Sequence, residues 1–336
     1  MSAPERSEAA GPPRRQAAEP PPRQRQATGP LPPQRQADGR LVLWMAFLTA
    51  LWGLNAVFIK VLTLGMAPLM GAGLRGAIGL ALLTGYGRLR GEKMGYRGQD
   101  LWHGLAVGGM FAAEFALFYL AAPLTTGGHI AIFINMAPFF VALGAHFFLP
   151  GERLTVLKIL GLLLAFFGVV VLFSDELYVR QTGFWRGDLM VIAGAALWAG
   201  TTLYMKMFMM ERFTDFRLLH VHILVSTPLL LGFSWLFEAE PFFAVTGFTV
   251  VALLFQAVVV VCFSYMMWMY LLRQYPAGSL QSFTLLTPGW GVAAGVALLG
   301  EAVSGLLLAG IALIGVGLYL VNRPAPRGHS PRLETH

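Results

Sequence analysis

The first residue in this sequence that asks for chemistry is an acidic side chain inside an apolar stretch. Glu114 lies within AVGGMFAAEFALFYLAA, residues 106–122. At the centre of a membrane span an acidic group costs about 2.5–3.5 kcal/mol on insertion scales unless it is paired or protonated. Two readings account for it. It is a protonatable or substrate-reading carboxylate, or it is locked in an ion pair with Arg75. Counting about 1.5 Å per helical residue puts Arg75 and Asn135 at a similar depth in their own stretches. Trp52 and Asn55 stand one helical turn apart, and the same arrangement recurs at Trp198 and Thr201. An aromatic ring beside a hydrogen-bonding group suits a cavity for an organic solute. Tyr119, Tyr265, Trp268 and Gln281 are candidates of the same kind, although packing and interfacial anchoring use the same residue types. Lys60 and Lys206 close their stretches and read as snorkelling anchors.

Other chemistries find no support. The sequence has no G-x-x-x-x-G-K-[ST] loop for nucleotide-driven work and no H-E-x-x-H, G-x-S-x-G or C-x-x-C. His103, His146, His220 and His222 read as inner helix ends and His129 as an outer one, none with metal ligands nearby in sequence. No cofactor and no metal are expected, and the reading is not an enzyme. Cys262, the one cysteine, has no partner for an intrachain disulfide.

The elements that position these residues follow from composition. Hydrophobic residues make up 56% of the 336 and charged residues only 12%, against roughly 25% charged in soluble domains. Apolar stretches of span length fall near 41–60, 68–87, 101–122, 127–148, 155–173, 187–206, 217–237, 246–270, 277–299 and 304–322. Ten spans put both termini on one side. If that side is the cytoplasm, every Lys and Arg except Lys60, Arg75, Arg180 and Arg186 lies inside, the bias that sets membrane orientation. The formal charge of +7 is therefore topological, and no nucleic-acid partner is expected. Residues 1–40 are rich in Pro, Arg and Gln, repeat Arg-Gln-Ala from positions 15, 25 and 35, and read as a disordered cytoplasmic tail.

The chain is an internal duplication. Ala50–Lys60, ALWGLNAVFIK, matches ALWAGTTLYMK at Ala196–Lys206; Pro138 matches Pro288, Gly151-Glu152 matches Gly300-Glu301 as a tight turn, Thr155 matches Ser304 as a cap on the next helix, and Gly161 and Gly168 match Gly310 and Gly317. The halves are 41–173 and 187–322, joined by a loop at 174–186 and followed by a cytoplasmic tail at 323–336. Five spans per half make the second half inverted relative to the first, which is the architecture of alternating-access carriers. Pro138 and Pro288 read as prolines inside helices, a matched pair of hinge candidates. The glycines of the fifth and tenth spans read as close helix packing, with dimerisation as the other use.

These residues resemble the EamA-type, ten-helix branch of the drug/metabolite transporter superfamily over essentially 41–322. The resemblance implies an all-α polytopic membrane protein, ten transmembrane helices as two inverted five-helix repeats around a central cavity. It also implies transport, often export, of small metabolites such as amino acids. Arg75 fits the Leu-Arg usual in the second helix, with Gly76 where phenylalanine is common. The expected function is a secondary active or facilitative transporter in the bacterial inner membrane, with a small organic solute, protons and lipid as partners, as monomer or homodimer. A channel, a non-transporting membrane protein or a membrane enzyme are the alternatives.

Overall fold

The computed structural model describes residues 34–174, 184–299 and 305–323. The tail before residue 34, most of the connecting loop, the Gly300-Glu301 turn, the Ser304 cap and the C-terminal tail lie outside them. The secondary structure of the described residues is helical, joined by loops, without a strand beyond an isolated bridge between Met66 and Phe242. In chain order the helices are α1 Gly39–Leu62, α2 Pro68–Arg90, α3 Gln99–Ala121, α4 Gly127–Ile134, α5 Ala137–Phe148, α6 Val156–Leu172, α7 Trp185–Tyr204, α8 Asp215–Phe237, α9 Gly247–Phe255, α10 Tyr265–Gln274, α11 Ala277–Ser282, α12 Thr287–Leu299 and α13 Gly305–Asn322. A π-helical stretch, Met205–Met209, extends α7, and another, Gln256–Ser264, joins α9 to α10. Among the described residues, eight helical segments are long and apolar enough to cross a membrane, and α6 is a shorter apolar helix.

Local chemistry sets the helix starts. Asp38, Thr126, Thr155, Thr214 and Thr246 each accept a backbone N–H in the first turn of the following helix, satisfying donors that have no intrahelical partner. The cap expected of Thr155 is among them. Leu41 N–H, together with the Tyr275 hydroxyl, holds the Asp38 carboxyl below its usual range. Burial outweighs the opposing pull of the Arg217 guanidinium and leaves the Tyr96 phenol in the α2–α3 loop pushed up to about 12. It stays protonated at any physiological pH.

Contrary to the expectation from sequence, Pro138 and Pro288 do not lie inside continuous helices. The helix of residues 127–148 stops at Ile134, turns through Asn135 and Met136, and restarts with Pro138 in the first turn of α5. Pro288 likewise stands second in α12, after a 3₁₀ turn at Phe283–Leu286. A first-turn proline gives up no hydrogen bond, because its missing N–H had no partner there. Each span is therefore broken before its proline rather than kinked at it.

Close approaches give the helix directions. Gly104 meets Val221 and Gly108 meets Val225, so α3 and α8 run parallel. Gly187 meets Leu124 and Gly194 meets Phe118, so α7 runs antiparallel to α3. Gly73, Gly76 and Gly87 of α2 meet Leu231, Thr227 and Phe216 of α8, in antiparallel order. α8 buries six consecutive residues, Leu218–Ile223, as a helix surrounded on all sides does.

The pair α6/α13 packs backbone to backbone. A Cβ on Gly161 would fall 2.7 Å from the Gly317 carbonyl oxygen, and one on Gly168 2.7 Å from that of Gly310. The small-residue stripes are thus used within the chain. Gly317→Leu has no room against Ala165 N, 2.5 Å from the added Cβ, and is expected to lower stability by at least the roughly 1–3 kcal/mol of an overpacked core. Thermal melting of the detergent-solubilised variant checks this; an unchanged midpoint would contradict the packing.

Candidate functional site

Glu114 lies on the inner face of α3, 4% exposed, and its Oε2 is buried without a hydrogen-bond partner. Its helix neighbours Phe111 and Phe115 build the surroundings. The two rings lie 4.6 Å apart, with Tyr119 6.1 Å beyond Phe115, Tyr265 6.2 Å from Phe111, and the His222 ring edge-on to Phe111 at 4.5 Å.

Arg75 approaches from α2 but does not pair with Glu114. Its Nη1 donates to Gln256 Oε1 at 3.1 Å, and its guanidinium covers the Phe115 ring at 4.9 Å. The ion pairs among the described residues lie elsewhere: His129–Asp188, Arg212–Asp100, Arg217–Asp100 and Arg273–Asp215. Arg75 is held by an amide oxygen and a π face, which leaves the carboxylate uncommitted. Its charge still acts on Glu114, Tyr119 and Tyr265 through space, so the four residues share one region.

A separate group of candidates gathers on α1. The Trp52 indole N–H donates to Ser264 Oγ at 3.0 Å, and its ring lies 5.4 Å from that of Trp268. Asn55, one turn on, is buried with Oδ1 unpartnered. Buried polar atoms without partners are rare in folded proteins, and here Glu114, His222, Thr227, Gln256 and Asn55 all contribute some. Such groups favour a polar ligand or water that satisfies them.

The other candidates are placed differently. Asn135 sits at the α4–α5 break and spends its side-chain N–H on the Ala131 carbonyl at 2.6 Å. Thr201 donates back to Leu197 O, Trp198 is half-buried on α7, and Gln281 is fully buried in α11 with both amide atoms unpartnered. Among the described residues, the ring contacts and hydrogen bonds that join Glu114's surroundings do not reach these four.

Sequence reasoning missed Gln256, Thr227 and His222. Gln256 is a lone amide beside a run of valines, a signal that was available. His222 is no helix-end residue but a buried ring two turns into α8, with both nitrogens unpartnered. Lys206 does not snorkel. It is 4% exposed, and its ammonium donates to the carbonyls of Leu272 and Tyr275, where α10 ends. Glu152, led inward by Gly151 at φ 86°, accepts the N–H groups of Ala277 at 2.7 Å and Gly278 at 3.0 Å, where α11 begins. The α10–α11 corner is thus gripped by a cation on its carbonyls and an anion on its amides, each matching the local helix-end charge. Glu238 does for Leu69 and Met70 of α2 what Glu152 does for α11.

Fold and site together define a polytopic helical membrane protein with an uncommitted carboxylate and aromatic rings in its interior. The EamA-like transporter family model matches residues 40–174 and 185–323, and the chain belongs to that family. It is 30% identical, over 84% of its length and 94% of the relative's, to a probable amino-acid metabolite efflux pump of Salmonella typhimurium. It is 24% identical to the uncharacterized transporter YoaV of Bacillus subtilis, over 74% of this chain and 85% of YoaV. A crystal structure at 21% identity superposes with a TM-score of 0.72, covering 85% of this chain and 98% of the other, and so shares the fold. Family and relatives point to a transporter rather than an enzyme.

Proposed function

We propose that the protein is a secondary active or facilitative exporter of small organic metabolites, amino acids or related compounds, working by alternating access. The observation that carries this reading is the Glu114 carboxylate, buried in a span, free of a protein partner and flanked by aromatic rings. A carboxylate kept uncommitted in hydrocarbon is a functional residue by default. The name of the Salmonella relative supports the substrate class.

The helix directions support ten alternating crossings in two inverted halves. α7 runs antiparallel to α3, so the short α6 must count as a crossing between them. α13 runs antiparallel to α6, so the interrupted α11–α12 segment must count as well. Gly161 packs on Gly317 and Gly168 on Gly310, and the duplication pairs Gly161 with Gly310 and Gly168 with Gly317. The contact is therefore exchanged onto itself by the repeat, as a two-fold axis in the membrane plane requires. The breaks before Pro138 and Pro288 are the places where such halves bend.

The basic-residue bias supports cytoplasmic termini in a bacterial inner membrane. Reporter fusions at Arg97 and at Phe242 test the orientation; the first is expected to read inside and the second outside, and the reverse would overturn it. Expression in cells challenged with toxic amino-acid analogues tests the function. Resistance to a subset of them is expected, and equal sensitivity to the whole panel with the protein present in the membrane would count against the substrate class.

A further inference from the structure

A groove of 590 Å³ runs between the start of α1 and the π–α10 helix, away from Glu114. At its mouth stand Arg35 and Arg40; along it lie Trp44, Tyr270, Met266 and Phe263, and Cys262 marks its far end. Trp44, Tyr270 and Phe263 are 39%, 47% and 42% exposed, so the groove opens sideways, toward the bilayer.

The mouth is built. The segment before α1 is tied down by a backbone bond from Arg35 N–H to Gln274 O at 2.9 Å and by the Tyr275 hydroxyl donating to Asp38 Oδ1 at 2.9 Å. The acidic residues nearby are already engaged: Asp38 accepts the Leu41 N–H, and Asp215 is held by Arg273 at 2.6 Å. Neither Arg35 nor Arg40 has a carboxylate within ion-pair distance among the described residues, and Asp38 acts on both only from farther away. The length is informative too. From Gln274 to Cys262 the helix rises roughly 18 Å at about 1.5 Å per residue, close to one leaflet's half of a hydrocarbon core about 30 Å thick.

We propose that this groove binds one anionic phospholipid, its phosphate between Arg35 and Arg40 and one acyl chain along Tyr270, Met266 and Phe263. A soluble solute would leave the open apolar side uncovered, whereas a lipid covers it from the bilayer. Two arginines lining one end of an apolar groove fit a phosphate-bearing headgroup without added positive charge, because a choline would bring its cation against them. The proposal does not depend on the transport reading.

Native mass spectrometry of the full chain, delipidated in detergent and titrated with phosphatidylglycerol or phosphatidylcholine of identical acyl chains, tests it. The parent protein is expected to retain one phosphatidylglycerol with a preference on the order of tenfold or more, two basic residues facing one anionic headgroup. Arg35→Ala with Arg40→Ala should bring that preference close to parity while melting as the parent does in phosphatidylcholine. Phe263→Ala with Met266→Ala should weaken both lipids together. Equal retention of the two lipids by the parent, or a preference unchanged in the double-arginine variant, would overturn the proposal. So would displacement of the lipid by millimolar glycerophosphate, which would mean an anion site that needs no acyl chain.

Discussion

Replacing Glu114 by Gln is expected to leave a protein that inserts, folds and melts like the parent but no longer accumulates its solute against a gradient. The expectation follows from the partners of Arg75. The guanidinium is held by Gln256 and lies over Phe115, so removing the Glu114 charge strands no ion-pair partner. Glutamine keeps the shape and the hydrogen-bonding capacity of the side chain but cannot carry a proton or match a cationic group. Accumulation of a solute driven by a proton gradient should fall to the level of protein-free vesicles, while downhill exchange survives. The two readings of the carboxylate separate cleanly here. A structural pair would show itself as lower yield and melting temperature in Glu114→Gln, restored by a second change, Arg75→Met. A stable Glu114→Gln protein with parental accumulation would remove the functional reading.

Glu152→Ala should have the larger effect on stability. The carboxylate takes two backbone donors at the start of α11, one of them fully buried, and lies close enough to Lys206 for their charges to interact. Each buried donor left unpaired costs about 1–3 kcal/mol, so a sharply lowered melting temperature or loss of folded protein is expected. Glu152→Gln, which keeps one acceptor oxygen, should be milder. Glu238→Ala makes the comparison, since its two bonds to Leu69 and Met70 are only part-buried and water can replace the carboxylate. Equal melting of Glu152→Ala and the parent would contradict the grip on the α10–α11 corner.

Much of this arrangement was legible in the sequence because a bilayer leaves few choices. Apolar length marks the helices, Thr155 and its kin mark their starts, and the spacing of Gly161 and Gly168 marks a close contact that the structure uses between α6 and α13. Glu114 stood out because a charge in hydrocarbon needs a reason. What stayed hidden depends on partners from elsewhere in the chain. The sequence offered Glu114 to Arg75 as the nearest opposite charge, yet Gln256, 181 positions away, takes it. Lys206 read as an anchor because it ends an apolar stretch, but α7 continues as a π-helix there and turns the ammonium inward onto the end of α10. Pro138 read as a kink because the apolar pattern runs through it; the preceding turn at Asn135 and Met136 has no comparable hydrophobic signature. The Gly151-Glu152 pair was recognised as a turn, and its second task, capping α11 from the other half of the chain, has no local signal.

The most direct test of the account is counterflow by the purified protein in liposomes loaded with unlabelled amino acid. A carrier that alternates access around one site should give saturable uptake of the labelled compound, transiently above equilibrium and stimulated by the unlabelled amino acid inside. Flux that rises without saturation and ignores the solute on the other side would contradict alternating access and indicate an open pore.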